Sequence, residues 1–372
     1  MKKKIFKKLY SEIIVFFLLT LFTLSAIIWI LQAVNFLDIV SEDGHSIATY
    51  FKFSSLSVVK IINETFLISF FLALFYILVL YEENNQLLIY WTNSISKIYF
   101  LNKIILFSLS LIIISLFLSF YVVPFTQDKA RSYIRSSNLD FFPSLIKPKK
   151  FIDTVEDLTV FLDKKDNQKM ERIILKDTSN SNNIQIIVAK NGEIINENEN
   201  KFLILNNGKI ISTNFEKRST IFDFKETTFD LNKYHTKTTT STKIQELRSL
   251  DIINCLRNTN KSNNQKLVNF NCRESIRKEL SQEIYKRVYL PFYMLLISII
   301  VSFLILNSHI NINYKYNKIK IFIVGILLVV FSEMSVSMIS NDNLKNLAIL
   351  LILPVISLIS YLTFLNKVKI SS

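Results

Sequence analysis

Between Glu12 and Asp38 the chain reads IIVFFLLTLFTLSAIIWILQAVNFL, Ile13 to Leu37 without a charge. About 20 apolar residues cross a bilayer core as a helix, and no Gly or Pro interrupts this run. Met1-Lys-Lys-Lys4 and Lys7-Lys8 in front of it resemble the basic start of a signal peptide. The run is too long for one, however, and no small-x-small cleavage site follows, so it reads as a retained span. Five more stretches share its character: Glu64 to Glu82, Lys103 to Asp128, Arg287 to Lys315, Lys320 to Asp342 with Glu333 inside it, and Lys345 to Lys367. That pattern excludes a soluble enzyme. With the N-terminus inside, the cytoplasmic segments hold twelve lysines and the two short outer loops hold three (Lys52, Lys60, Lys345), a positive-inside bias that puts both termini in the cytoplasm.

The expected organisation is three helices in residues 1–125, with a cytoplasmic loop at 82–103, then an extracytoplasmic domain at 126–287, then three helices in 288–372. Within the outer domain, period-2 runs such as Ile184–Lys190, Lys201–Leu205 and Thr220–Leu231 alternate with Asn191-Gly192 and Asn206-Asn207-Gly208. Asn-Gly between alternating apolar residues predicts hairpin turns, and the spacing predicts roughly eight to ten strands in a sandwich or open barrel. The segments 243–256 and 273–285 read as helices returning to the membrane. Cys255 and Cys272 bracket an Asn-rich loop between them; in an oxidising compartment they would form a disulfide, and otherwise they are two unpaired thiols.

Little in the sequence carries covalent chemistry. His45, His235 and His309 are scattered, and no metalloprotease, C-x-x-C or G-x-S-x-G motif occurs. Only 4 Gly are present and neither nucleotide-binding glycine motif is found, so the chain brings no phosphate loop of its own. The net charge of +14 comes with an Ile, Lys, Asn and Phe excess typical of AT-rich coding, and no nucleic-acid module accompanies it. Glu333 is the one acidic residue inside a span; it faces a cavity or partner, or it is bonded locally to Ser332 and Ser335. Pro354 is expected to kink the sixth span.

The loop at 82–96 is the most informative segment. It starts acidic and continues as a short amphipathic helix with Leu87, Leu88, Tyr90, Trp91 and Ile95 on an apolar side. Such a helix either lies on the headgroups or docks a cytoplasmic partner whose basic residues meet Glu82 and Glu83.

Across its whole length the chain resembles the LptF/LptG family of lipopolysaccharide-export permeases. Tyr10-Ser-Glu12 resembles the family's opening, and residues 83–96 resemble its coupling segment, with Gln86 in place of the usual Glu and Ser94 in place of Gly. Ile146–Phe151 and Ile187–Gly192 look like its outer-domain motifs, closer to the F-type subunit, and Glu283–Arg287 with Pro291 is similar to its E-x-x-x-R…P approach to the fourth span.

The resemblance implies a multi-pass protein of the bacterial inner membrane with a periplasmic jellyroll-like domain, acting as one permease of an ATP-driven exporter. A dimeric LptB-like ATPase would dock at Glu82, Glu83, Gln86, Leu87, Tyr90 and Trp91; ATP and Mg²⁺ would be used by that partner, with no cofactor in this chain. A second, LptG-like permease would close a lipid cavity whose candidates here are Gln32, Asn35, Phe36 and Glu333. LptC- or LptA-like bridge proteins would receive the lipopolysaccharide. Where relatives carry basic residues at the outer end of the first span, this chain reads Gln32 to Asp38, which implies a smaller share in binding lipid phosphates. Two other readings remain: a mechanotransmitting ABC-type permease, whose large outer domain would follow the first span, and a membrane-anchored lipid-binding or sensor protein, which needs fewer spans.

Overall fold

A computed structural model describes residues 2–37, 46–136, 148–155, 157–166, 169–179, 183–197, 200–214, 219–231, 243–258, 266–267, 270–271, 276–306, 313–340 and 342–371. They form two compact units. The first contains Met1–Ile30, Ser57–Asp128 and Lys243–Ser372; the second contains Leu31–Leu56 and Lys129–Thr242. The return segment expected to belong to the outer domain therefore groups with the helices.

Six helical runs are long and apolar enough to cross a membrane. The first is α1 (Lys2–Asn35) and the second α2 (Ile47–Glu83); a short α3 (Leu87–Thr92) follows. The third run is α4 (Lys97–Phe117), a π turn (Leu118–Val122) and α5 (Val123–Ser136). After the sheet come α6 (Ser249–Asn258) and the fourth run, which is α7 (Arg277–Val288), a 3-10 turn (Leu290–Phe292) and α8 (Tyr293–Ser302). The last two are α9 (Asn313–Met338) and α10 (Asn343–Ser371).

In the first unit the helices are sorted by how much of each is apolar toward its neighbours. On α1, Phe6, Leu9, Ile13, Phe17, Leu21 and Ser25 are buried at helical spacing, while Val15, Leu18, Leu19 and Phe22 point outward. An outward face that is equally apolar suits lipid rather than water, since among the described residues nothing else covers it. α8 is buried nearly all round and packs against α4, α9 and α10, the position of a central helix. Small side chains let backbones approach: Ser108 and Ser298 meet at 3.4 Å, and Ser25 and Thr65 at 2.9 Å. At Gly325 a Cβ would fall 2.0 Å from the Phe71 ring, so α9 can meet α2 there only without a side chain.

The second unit holds one antiparallel sheet in simple sequence order: β1 (Phe151–Val155), β2 (Leu158–Asp166), β3 (Lys169–Asp177), β4 (Asn183–Glu197), β5 (Asn200–Asn214) and β6 (Ser219–Asp230). The expectation was roughly eight to ten strands in a sandwich or open barrel; the described residues hold eight strands, six in one sheet and a separate pair of two-residue strands, β7 (Lys266–Leu267) and β8 (Phe270–Asn271).

The Asn-Gly pairs are not turns. β4 and β5 run straight through them, with Asn191 opposite Asn206 and Gly192 opposite Leu205. Along one row across the sheet the pairing skips a step, between Asp163 and Arg172, Arg172 and Lys190, Lys190 and Asn207, and Asn207 and Lys225, and it resumes in the same register on the other side. Arg172 and Asn207 have positive φ, 53° and 55°. In each of β3 to β6 two polar residues in succession face out at this row: Glu171–Arg172, Lys190–Asn191, Asn206–Asn207 and Lys225–Glu226. The alternation thus changes phase while the same face stays inside, which creases the sheet. One apolar core then draws from both halves, Leu158, Leu162 and Leu175 from one and Met170, Ile194 and Leu203 from the other. Arg172 also pairs with Asp163 on the neighbouring strand.

The crease depends on close backbone approach at Gly208, where a Cβ would lie 2.3 Å from the Val188 carbonyl oxygen and 2.5 Å from the Phe224 ring. Gly208→Ala is expected to overpack this point at a cost of about 1–3 kcal/mol. A lowered unfolding midpoint of the full chain in detergent checks it; an unchanged midpoint would mean that the strands can separate freely at the crease.

Candidate functional site

The loop between α2 and α4 is built by two helix endings of one kind. At the end of α2, Asn85 takes φ 58°; its N–H donates to Glu82 O at 3.0 Å and that of Gln86 to Tyr81 O at 2.8 Å. At the end of α3, Ser94 takes φ 55°, with Ser94 N–H donating to Trp91 O and Ile95 N–H to Tyr90 O, both at 3.1 Å. Each is a Schellman ending, in which a left-handed residue closes two otherwise orphaned carbonyls. Ser96 then caps α4 by accepting from Tyr99 N–H at 3.2 Å. The loop is therefore fixed by its own backbone.

Its side chains divide cleanly. Leu87, Tyr90 and Ile95 are buried in the helical core. Tyr90 stacks edge-on against Phe6 and Phe100, at 5.4 and 5.1 Å, and Trp91 packs on Phe100 at 5.8 Å. Burial pushes the Tyr90 hydroxyl well above the ordinary tyrosine range, with Glu12 and Tyr10 adding to the effect, so it remains a donor; it donates to Ile5 O at 3.3 Å. Glu82 is buried, and Glu83 accepts from Lys318 of α9 at 2.7 Å. What faces outward is Leu88 (54% exposed) and Ile89 (51%), framed by Asn84, Asn85 and Thr92.

All six residues predicted for coupling thus sit in one loop. Leu87 and Tyr90 hold it in place, however, and the outward apolar contact is the neighbouring pair Leu88 and Ile89. Leu87 and Tyr90 share the inward side with Ile95, a facing that the sequence does not announce.

The lipid-cavity candidates fall in different units. Gln32 and Phe36 are half-buried and Asn35 is exposed at the close of α1, where Phe36 meets Phe53 at 5.0 Å. Glu333 is exposed on α9. The hydroxyls of its neighbours Ser332 and Ser335 donate to the carbonyls of Val329 and Ser332, each at 2.6 Å, so neither binds Glu333. Cys255 is buried and disulfide-bonded; Cys272 lies outside the described residues, as do the three histidines. Among the described residues no group of three His, Cys, Asp or Glu could hold a metal ion.

A second polar cluster surrounds the Glu283–Arg287 motif. Lys286 donates to Glu64 at 3.0 Å, Lys60 donates to the Gln245 side chain at 2.8 Å, and Arg287 is 2% exposed with every nitrogen engaged. The E-x-x-x-R spacing of Glu283 and Arg287 is local and was legible, whereas the partners Glu64, Gln245, Leu247 and Ser249 lie far along the chain and no local pattern announces them.

The model of the family described as "Lipopolysaccharide export system permease LptF/LptG" matches residues 7–367. Among curated proteins the chain is similar to "Uncharacterized protein RP871" of Rickettsia prowazekii (strain Madrid E), 24% identical over 194 residues. The match covers 50% of this chain and spans about half, 52%, of that protein.

Ser94 occupies the left-handed position that relieves a β-carbon when glycine stands there. Ser94→Gly is expected to stabilise the chain by up to about 1 kcal/mol, and Ser94→Val to destabilise it by more, because a branched side chain fits that conformation worst. Thermal unfolding of the two variants tests the order; the reverse order would show that the ending of α3 is held by something else.

Proposed function

The chain belongs to the lipopolysaccharide export permease family LptF/LptG, and from that premise we propose that it is the F-type permease of an ATP-driven exporter. It extracts lipopolysaccharide from the inner membrane and hands it to a periplasmic bridge. The observation that carries the coupling half of this reading is the α2–α3–α4 loop: a fixed helix with Leu88 and Ile89 outward, in a chain without a nucleotide-binding motif.

In this reading an ATPase dimer receives that helix on the cytoplasmic side. Two apolar side chains provide the contact area, and the surrounding Asn and Thr groups satisfy hydrogen bonds at its rim. The pair between Glu83 and Lys318 joins the loop to α9, so a push on the loop is felt by the fifth span. A second permease faces the outward apolar sides of α1 and α9, and lipopolysaccharide enters between them. Both termini are cytoplasmic and the sheet unit is periplasmic, with three spans on either side of it.

The creased sheet forms a jellyroll-like trough for acyl chains. Its last strand, β6, is an open edge with Ile221 (62% exposed) and Phe222 (60%) outward, and an unpaired edge of this length accepts a further strand from a bridge protein.

Mild-detergent purification of the tagged chain from its native membrane, with mass spectrometry of what accompanies it, is the direct test. Recovery of an ABC ATPase, a second six-span permease and bound glycolipid is expected. Leu88→Glu combined with Ile89→Glu should remove the ATPase and leave the second permease, whereas Leu87→Ala should lower yield, with about 2–5 kcal/mol lost from the core. Retention of the ATPase by the double variant would place coupling elsewhere.

Cys255 and Cys272 are proposed to be bridged to each other. Non-reducing digestion should give one linked peptide pair that separates on reduction, and two freely alkylated thiols in the native protein would refute the bridge.

A further inference from the structure

Two spans are broken at one cavity. In the third run the helix carries the π turn Leu118–Val122, which fits one residue more than a regular turn would. In the fourth, Pro291 removes a backbone N–H and the helix narrows to a 3-10 turn at Leu290–Phe292. Ser119 from the first break, Ser115 from the last turn of α4 and Pro291 from the second break line the same small cavity, together with Asn63, Glu64 and Lys286. The side-chain oxygen of Asn63 is buried there without a hydrogen-bond partner. Below this level, toward the coupling loop, the two helices pack closely through Ser108 and Ser298.

Beyond the cavity the same helices are joined to the segment returning from the sheet. Arg287 donates through Nη1 to Leu247 O at 2.8 Å and to Ser249 Oγ at 2.9 Å, through Nη2 to Gln245 O at 3.0 Å, and through Nε to Glu283 Oε1 at 2.8 Å. Ser249 in turn donates its hydroxyl to Phe120 O, inside the π turn, at 2.7 Å. Ile252, Cys255 and Leu280 bury a small apolar core between α6 and α7. A fully engaged, buried guanidinium is costly to disturb, because every released carbonyl would be stranded away from water. Of the two breaks at the cavity, the π turn is tied to this clamp through Phe120 O, whereas the 3-10 turn at Leu290–Phe292 lies beyond it.

We propose that Arg287 is the positioning residue of a lever: α7, the segment 243–258 and the π turn move as one body, hinged beside the cavity where α4 enters the π turn and at the 3-10 turn Leu290–Phe292. Motion of the membrane helices is thereby delivered to the chain that leads out of the sheet. Without the clamp the spans would still respond to ATP, but the return segment would slip. The lever rests on the export reading for what it moves, while its rigidity is a property of this chain alone.

The test uses the full complex in nanodiscs with spin labels at Leu250, Lys278 and Leu106, all exposed. Between nucleotide-free and vanadate-trapped states the 250–278 distance should stay constant and the 250–106 distance should change by several Å. In Arg287→Gln the 250–278 distribution should broaden, and lipopolysaccharide released per ATP should fall at least about tenfold while the ATPase rate stays within about twofold. Arg287→Lys, which can keep the Glu283 pair but not the fork, should recover part of the release. A purely structural role would instead lower yield, ATPase association and export together, and would overturn the proposal. So would a 250–106 distance that does not change in an exporting wild-type complex. If Arg287→Gln does not accumulate, Ser249→Ala removes only the hydroxyl between clamp and π turn and should still lower release per ATP; full release would refute the lever. A wild-type chain that recruits no ATPase would sink the export reading, and the 250–278 distance in that same chain would still decide whether the clamp is rigid.

Discussion

A backbone carbonyl that loses its helical donor inside an apolar bundle has to find another, because no water is there to supply one. This chain breaks its helices in several places, and several of the breaks are answered by a specific group. The carbonyls orphaned at the ends of α2 and α3 are closed by N–H groups beyond Asn85 and Ser94. The Phe120 carbonyl within the π turn is taken by Ser249, and the carbonyls of Gln245 and Leu247 are taken by Arg287. The irregularities are therefore built in, and their locations differ in kind. Where the backbone repairs itself, as around α3, the result is a stiff presenting loop. Where a distant side chain makes the repair, as at Arg287, the result is a joint between elements far apart in sequence.

Charge follows the same logic. Glu64 lies within reach of Lys60 and Lys286, and Glu83 is met by Lys318, so the charged groups along the spans are largely engaged within the chain. Pairs with this much exposure contribute little to stability on their own. Their more consistent effect is on geometry, since each fixes one helix against another at a defined level. Glu333 is exposed on α9 with its adjacent serine hydroxyls committed to the backbone, and among the described residues Lys286 is the cation that acts on it.

The spans were legible because apolar run length is a local property, and Ile13 to Leu37 needs no partner to be read. Their limits were less so. α2 begins at Ile47, well before Glu64, since Lys52 and Lys60 are tolerated near the end of a helix and Glu64 is paired with a lysine more than two hundred residues away. In the sheet, Asn191-Gly192 and Asn206-Asn207-Gly208 were read as turns because turns and creases need the same residues, ones that accept positive φ or close approach. Only the pairing partners distinguish the two, and those are set by neighbouring strands. In the coupling loop the composition was legible and the facing was not, because a six-residue helix is too short for its periodicity to separate Leu87 from Leu88.

The connection between the two ends of the bundle runs through continuous helix. α2 is 37 residues long, roughly 55 Å at 1.5 Å per residue. One end carries Glu82 and Glu83 beside α3, and Lys60 and Glu64, six turns or so away, reach Gln245 and Lys286. A helix of that length, buried over most of its apolar stretch, resists bending more than the breaks in the third and fourth runs do. Displacement applied at the coupling loop would thus be carried by α2 without loss and would be taken up where the neighbouring helices are interrupted, at the cavity beside Ser119 and Pro291. The stiff element and the weak points lie side by side at one level, which is the arrangement a transmitted motion requires.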